Sequence, residues 1–490
     1  MNVPTSTPPL VVDRSSISGL RRRTLTFVPV FAQSVAAIAP SGTAAVTPPF
    51  VIATIGGGAS VFAFLAAAVL TWCIALVIRP MAQRLAVTGG LYTYVAKGLG
   101  PVAAIPVGWS AIVGYASVSV AGLLAVASYL GNVESITSAA TGATSATTAA
   151  LTVIAALAAA VALVLMVRGI RLSAVVTLLV ECVSAVAILA LLVYLLTNAG
   201  HSADMRQAVA WRGGIGDYAD GAVVAISAFV GFESATTLSA ESFRPFRSVP
   251  RTLLWTPLAA GVIYLIAVGA EAIALVIDPA TASATPLSDL LLRDDSPILA
   301  IILDLGVAAS FFACTVASLN ALVRILFTMG REGIAPRATG RTHPRFHTPV
   351  PAILGTIAVV AGCAIAVLWS AVPPQDGIRL FLTLSSFGYL GSYLAACLAG
   401  PILLRRIDEP SRALLVLGVS GAAMMVLVVV AAAFSRQPGN QVVVATYLTI
   451  MLAAIVFTAG LRRFAPDRLR RVGIFDEPQC EQLLQTAMFR

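Results

Sequence analysis

Twelve apolar runs, each long enough to cross a bilayer, alternate with short charged or Pro/Gly-rich breaks along this chain. A transmembrane helix needs about 20 apolar residues, and the runs between breaks predict spans over 24–48, 59–79, 101–131, 148–167, 170–197, 218–241, 250–277, 297–328, 349–371, 378–404, 413–434 and 441–461. The polar positions are as ordered as the apolar ones. Basic residues gather at the N-terminus (Arg14, Arg21, Arg22, Arg23), after span 2 (Arg79, Arg84, Lys97), after span 4 (Arg168, Arg171) and after span 6 (Arg244, Arg247, Arg251). They recur after span 8 (Arg324, Arg331, Arg337, Arg341, Arg345), after span 10 (Arg405, Arg406, Arg412) and in the tail (Arg462, Arg463, Arg468, Arg470, Arg471, Arg490). Of the 31 Lys and Arg, only Arg206, Arg212, Arg293, Arg379 and Arg436 fall in the opposite connections. Basic loops stay on the cytoplasmic side. Both termini are therefore expected in the cytoplasm, which requires an even number of spans, as twelve is.

Two spans carry helix breakers. Span 1 contains Ala39-Pro40-Ser41-Gly42-Thr43, and span 6 contains Phe229-Val230-Gly231-Phe232-Glu233-Ser234. Proline and glycine free backbone groups, and broken backbone at membrane depth is tolerated where it lines a cavity or is buried in protein. An ionised carboxylate in hydrocarbon costs several kcal/mol, so Glu233 marks a place facing water, a partner or a substrate. The two breaks lie five spans apart, and interrupted helices at corresponding positions of two halves point to inverted repeats with a site between them. The expected architecture is an all-α integral membrane protein of 12 transmembrane helices. Its five-plus-five inverted repeat covers 24–197 and 218–404, with two further helices over 413–461.

Composition agrees. The chain is 58% apolar and 11% charged, against about 25% charged residues in soluble domains. The net charge of +9 resides in the alternating loops, so it does not signal nucleic acid. Residues 1–23 read as a disordered cytoplasmic head and 462–490 as a cytoplasmic tail. Arg21-Arg22-Arg23 before an apolar run imitates a cleaved signal, but losing span 1 would spoil the charge alternation. Five of the six cysteines (Cys73, Cys182, Cys314, Cys363, Cys397) fall in spans and Cys480 in the tail, which disfavours a disulfide framework. Gly56-Gly57-Gly58 reads as an extracellular turn, Ser135 to Thr148 as a flexible external loop, and 84–100 as an amphipathic interfacial helix.

Four groups of residues, in order and at their spacings, resemble amino acid permeases of the amino acid/polyamine/organocation (APC) superfamily. They are Pro40-Ser41-Gly42; Thr88-Gly89-Gly90-Leu91-Tyr92-Thr93-Tyr94 with Gly108-Trp109; Phe229 to Glu233 with Ala240-Glu241-Ser242 and Ser248-Val249-Pro250-Arg251; and Asn320 to Arg324 with Gly330-Arg331-Glu332-Gly333. The resemblance covers about residues 27–405 and implies a permease for amino acids. It puts the substrate carboxylate on the amides of Ser41, Gly42 and Thr43, at the positive end of the second half-helix of span 1. The ammonium meets carbonyls near Ala37 and Ile38 and near Ser227, Ala228 and Val230. Phe229 and Phe232 supply apolar walls or a gate, and Ser227 is small where some relatives place a large aromatic gate. Tyr115 and Tyr389 are candidate cavity-lining residues.

A zwitterion has no net charge, so uphill uptake needs a coupling ion. One proton falling through 100 mV yields about 2.3 kcal/mol, enough for roughly a fifty-fold gradient at about 1.4 kcal/mol per decade. Glu233 leads as proton acceptor and Glu181 in span 5 follows, since a neutral carboxyl costs less than a carboxylate away from water. Glu271 and Asp304 suit vestibule or hydrogen-bonding roles, and Arg324 and Arg331 suit the cytoplasmic interface or pairing with loop acids. Sodium coupling would call on hydroxyls near Thr315 and Ser318. No cofactor and no metal is implied; the expected partners are an amino acid, H+ and the lipid bilayer of the cell membrane, for a monomer or homodimer.

Rival classes fare worse. His201, His343 and His347 all fall in loops, which leaves no intramembrane His/Ser or His-metal centre for an enzyme. No repeated charged ring or carbonyl filter suggests a channel. Within transport, an exchanger and an amine permease for putrescine or ethanolamine stay open.

Overall fold

The computed structural model describes residues 19–141, 147–198, 209–274, 286–433 and 439–474. Most of the expected disordered head, the end of the tail with Cys480, and His201 and Arg206 lie outside the described residues. Twelve helical stretches are long and apolar enough to cross a membrane: Phe27–Ile55, Gly57–Ala82, Pro101–Ser138, Thr148–Arg168, Ile170–Thr197, Ile215–Glu241, Pro245–Ala274, Pro297–Glu332, Val350–Leu368, Pro374–Arg406, Arg412–Ala432 and Asn440–Phe464. No strand occurs among the described residues.

The spans sort into an inner set and a lipid-facing set. In their most apolar windows spans 3, 6 and 1 are 89%, 83% and 78% buried inside the protein, whereas spans 4 and 12 are 28% and 22% buried. Span 3 packs on spans 8 and 10, and span 5 packs on span 8 and on both halves of span 1. The small and polar residues of the sequence concentrate on these inner faces, because lipid offers them no hydrogen bonds.

Both predicted breaks are present, with geometry the sequence did not specify. Span 1 is a half-helix Phe27–Ile38 and a second half-helix Pro40–Ile55, joined at Ala39 in the left-handed region (φ 50°, ψ 58°). Pro40 takes the first helical position, where its missing N–H is no loss. Span 6 is helical from Ile215 to Ser227, turns at Gly231 (φ 95°), and continues as a ten-residue 3-10 helix, Phe232–Glu241. Runs of that helix type beyond three or four residues are uncommon and mark hinges. A Cβ on Gly231 would stand 3.0 Å from Ala37 O, so the two breaks touch.

Two local expectations are corrected. Ser135–Thr141 is not loop but the continuation of the helix begun at Pro101; Ser135 Oγ and Thr137 Oγ1 bond carbonyls four residues back, which accommodates hydroxyl residues in a helix. The 84–100 segment is helical only over Leu91–Gly98, and that helix is buried against spans 3 and 10 rather than laid in the lipid interface. Glycine makes this possible: a Cβ on Gly98 would fall 2.6 Å from Ala399 O.

Candidate functional site

The second half-helix of span 1 presents its N-terminus to the centre of the protein, where spans 5 and 8 meet it. An α-helix leaves its first amides unpaired, and here their partners come from far along the chain. Ser41 N donates to Glu181 Oε1 (2.9 Å) and Ser41 Oγ reaches the same oxygen at 2.6 Å. Gly42 N donates to Ser310 Oγ (3.0 Å), and that hydroxyl donates to Glu181 Oε2 (2.7 Å). Ser41 Oγ also lies 2.9 Å from Ser184 Oγ, which donates to Gly306 O at 2.6 Å. The Glu181 side chain thus occupies the seat that the sequence assigned to a substrate carboxylate. Thr43 N instead closes a helical bond to Ala39 O (2.9 Å).

Across the break, Glu233 opens the 3-10 helix and is held by two phenols. Tyr115 of span 3 donates to its Oε1 (2.8 Å) and Tyr393 of span 10 to its Oε2. Tyr393 also accepts from Gly231 N (3.0 Å), so one hydroxyl holds both the turn and the carboxyl. Glu181 and Glu233 are each 2% exposed.

The carbonyls assigned to the ammonium have protein partners too. Ala37 O accepts from Cys314 Sγ (3.2 Å), Ile38 O from Thr43 Oγ1 (3.1 Å) and Ala228 O from Tyr264 OH (2.8 Å). Ser227 is half-buried and bonds Val224 O, whereas Phe229, Val230 and Phe232 are buried. Phe229 meets Tyr264 edge-on with centroids 5.0 Å apart, and Phe232 lies 5.3 Å from Tyr393. Tyr389 packs edge-on against Tyr115 at 4.9 Å. Of the two sodium candidates, Thr315 Oγ1 bonds Phe311 O of its own helix and faces Gly122, while Ser318 Oγ lies 3.9 Å from Cys314 Sγ. Ser184, Ser310, Tyr264, Cys314 and Tyr393 were not singled out from sequence. Their only signal is being polar or polarizable within apolar spans, which dozens of other positions share.

One end of the bundle is tied shut by a separate network. Arg324 Nε bonds Glu241 Oε1 at 2.6 Å with both side chains at most 5% exposed. Glu241 O accepts from Thr24 N and Leu25 N, and Phe243 N donates to Leu25 O, stitching the segment before span 1 onto the end of span 6. Glu271 is fully buried with neither carboxyl oxygen bonded among the described residues, and Asp304 accepts from Ser288 Oγ (3.2 Å).

The sequence model of a family described as amino acid permease matches residues 33–464. The chain is also similar to the branched-chain amino acid permease BcaP of Bacillus subtilis (strain 168), at 24% identity over 205 residues. That match spans 41% of this chain and 41% of the relative's length.

Proposed function

Because the chain belongs to the amino acid permease family, we propose that it is a secondary transporter that moves amino acids across the cell membrane by alternating access, with proton-coupled uptake. The observation that carries this reading is the meeting of two broken spans at a buried helix N-terminus seated on a carboxylate. A helix N-terminus favours an anion and the carbonyls of broken spans favour an ammonium, which is the pairing a zwitterion needs. Residues 24–197 and 218–404 act as the two inverted repeats, and both termini face the cytoplasm, as the alternating basic loops require.

The substrate class follows from the walls. Phe229 and Phe232 suit an aliphatic side chain, among the described residues no charged side chain other than Glu181 and Glu233 is bonded at the breaks, and the relative's name points to branched-chain amino acids. Leucine, isoleucine and valine are the substrates to try first. Protons rather than sodium serve as coupling ion, because the buried carboxyls Glu233 and Glu181 sit at the breaks whereas the Thr315 hydroxyl is bonded within its own helix. One observation favours a second reading, an amine permease for compounds such as putrescine: the carboxylate seat already holds Glu181.

The test is uptake of labelled leucine, isoleucine, valine, putrescine and ethanolamine into proteoliposomes, with and without an inward proton gradient, for wild type and Glu233→Gln. Gradient-driven uptake of the branched-chain amino acids, lost in the variant, is expected. Uptake of amines alone replaces the substrate class; exchange of preloaded amino acid that ignores pH and survives in the variant makes the protein an exchanger.

A further inference from the structure

Every donor at the start of the second half-helix of span 1 is spoken for. Pro40 has no N–H; Ser41 N goes to Glu181, Gly42 N goes to Ser310, whose hydroxyl hydrogen goes to Glu181, and Thr43 N closes the helix. An amide has one hydrogen to give, so a substrate carboxylate cannot take Ser41 N while Glu181 holds it. The acceptor side differs. A carbonyl has two lone pairs, and Ala37 O, Ile38 O and Ala228 O each accept from one side chain, Cys314, Thr43 and Tyr264 respectively. These carbonyls keep acceptor capacity for an ammonium, whereas the amides have no hydrogen left for a carboxylate.

Ser41 Oγ donates to Glu181 Oε1 (2.6 Å) and lies 2.9 Å from Ser184 Oγ, which donates to Gly306 O (2.6 Å). With Ser310 Oγ on its other oxygen, the Glu181 carboxyl is held by the same kind of donors that a substrate carboxylate would need.

We propose that Glu181 is the protein's own stand-in for the substrate carboxylate: an amino acid seats its carboxylate on Ser41 and Gly42 by displacing Glu181, and Glu181 yields only as the neutral acid, so one proton is bound with each zwitterion. This rests on the amino acid reading above. The polar groups that face Glu181 are Ser41 of span 1, Ser184 of span 5, Tyr264 of span 7, and Ser310 and Cys314 of span 8. None is a cation. Two carboxylates brought onto the same donors therefore repel, with no side-chain cation bonded to Glu181 among the described residues to offset the second charge, and the neutral acid together with one anion is the combination the seat accommodates.

Calorimetric titration of the purified full-length protein with leucine and with isoamylamine, which has leucine's side chain without the carboxylate, tests this. Repeating it in buffers of different ionisation enthalpy counts the protons taken up. In the alkaline range about one proton is expected per leucine, with affinity falling about tenfold per pH unit, and none per isoamylamine. Glu181→Gln, whose side chain keeps an oxygen to accept from Ser41 N but cannot ionise, is expected to bind leucine with no proton uptake and no pH dependence. Equal proton uptake with both ligands in wild type overturns the proposal without recourse to any variant, and so does undiminished uptake with leucine in Glu181→Gln. Wild type that binds isoamylamine but none of leucine, isoleucine or valine overturns the amino acid reading itself.

Discussion

Gly231 is the residue on which the two breaks meet. Its φ of 95° disfavours any side chain, and a Cβ there would stand 3.0 Å from Ala37 O, close enough that the carbonyl must shift. An L-residue in the left-handed region costs roughly 1–2 kcal/mol, and a methyl group here must also push the two breaks apart. Gly231→Ala is expected to lower thermal stability and to cut leucine uptake by at least about tenfold, the factor that 1.4 kcal/mol represents. Unfolding and uptake measured on the same preparation check both. The glycine was legible in the sequence as a helix breaker, because a missing Cβ is a local property. Its contact with Ala37 was not, since that depends on how the two breaks are brought together.

Among the elements, the Arg324–Glu241 pair joins span 8 to the end of span 6, and the Glu241 carbonyl holds the strand-like segment before span 1. Removing one member of a buried pair leaves an uncompensated charge and typically costs about 3–5 kcal/mol. Arg324→Ala is therefore expected to destabilise by about that much and to free the Leu25 segment. A cysteine introduced at Leu25 should react faster with a soluble maleimide in the variant than in the parent; equal rates would mean that the pair does not keep this end closed. The sequence placed Arg324 at the interface or against a loop acid, and the structure instead buries it against Glu241, the last residue of the span 6 helix. Arginine, with its weakly hydrated planar fork, suits such a buried pairing.

For the molecule as a whole, the buried Leu91–Gly98 helix links distant parts of the chain. Tyr92 donates to Glu332 at the end of span 8, and Glu332 also accepts from Gly473 N (2.8 Å), near the end of the described chain. Burial, with the Glu332 carboxylate beside it, raises the Tyr92 phenol well above its usual 10.0. A folded-state value raised above the unfolded one means that the phenol's contribution is full below pH 10 and is lost as pH climbs toward the folded value. Tyr92→Phe is expected to cost about 1–3 kcal/mol at pH 7, because Glu332 loses a buried donor. The gap between variant and wild type should narrow above pH 10, which parallel denaturation curves at pH 7 and at higher pH would reveal.

Chain length, the twelve apolar runs, the alternation of basic loops and the positions of both breaks were all determined by the sequence itself. Each is a property of a short stretch: whether it partitions into hydrocarbon, carries charge or can continue a helix. The overrun of span 3 and the burial of Leu91–Gly98 were not, because hydropathy measures the transfer of a segment and does not say which neighbour covers it. The candidate site divides the same way. Ser41, Gly231 and Glu233 stand out along the chain, but Glu181 reaches Ser41 across 140 residues and Tyr393 reaches Glu233 across 160. Only the packing of spans 5, 8 and 10 around the breaks decides that one carboxyl is wrapped in tyrosine hydroxyls while the other caps a helix, since a hydrogen bond depends on positions in space and these partners have none in common along the chain.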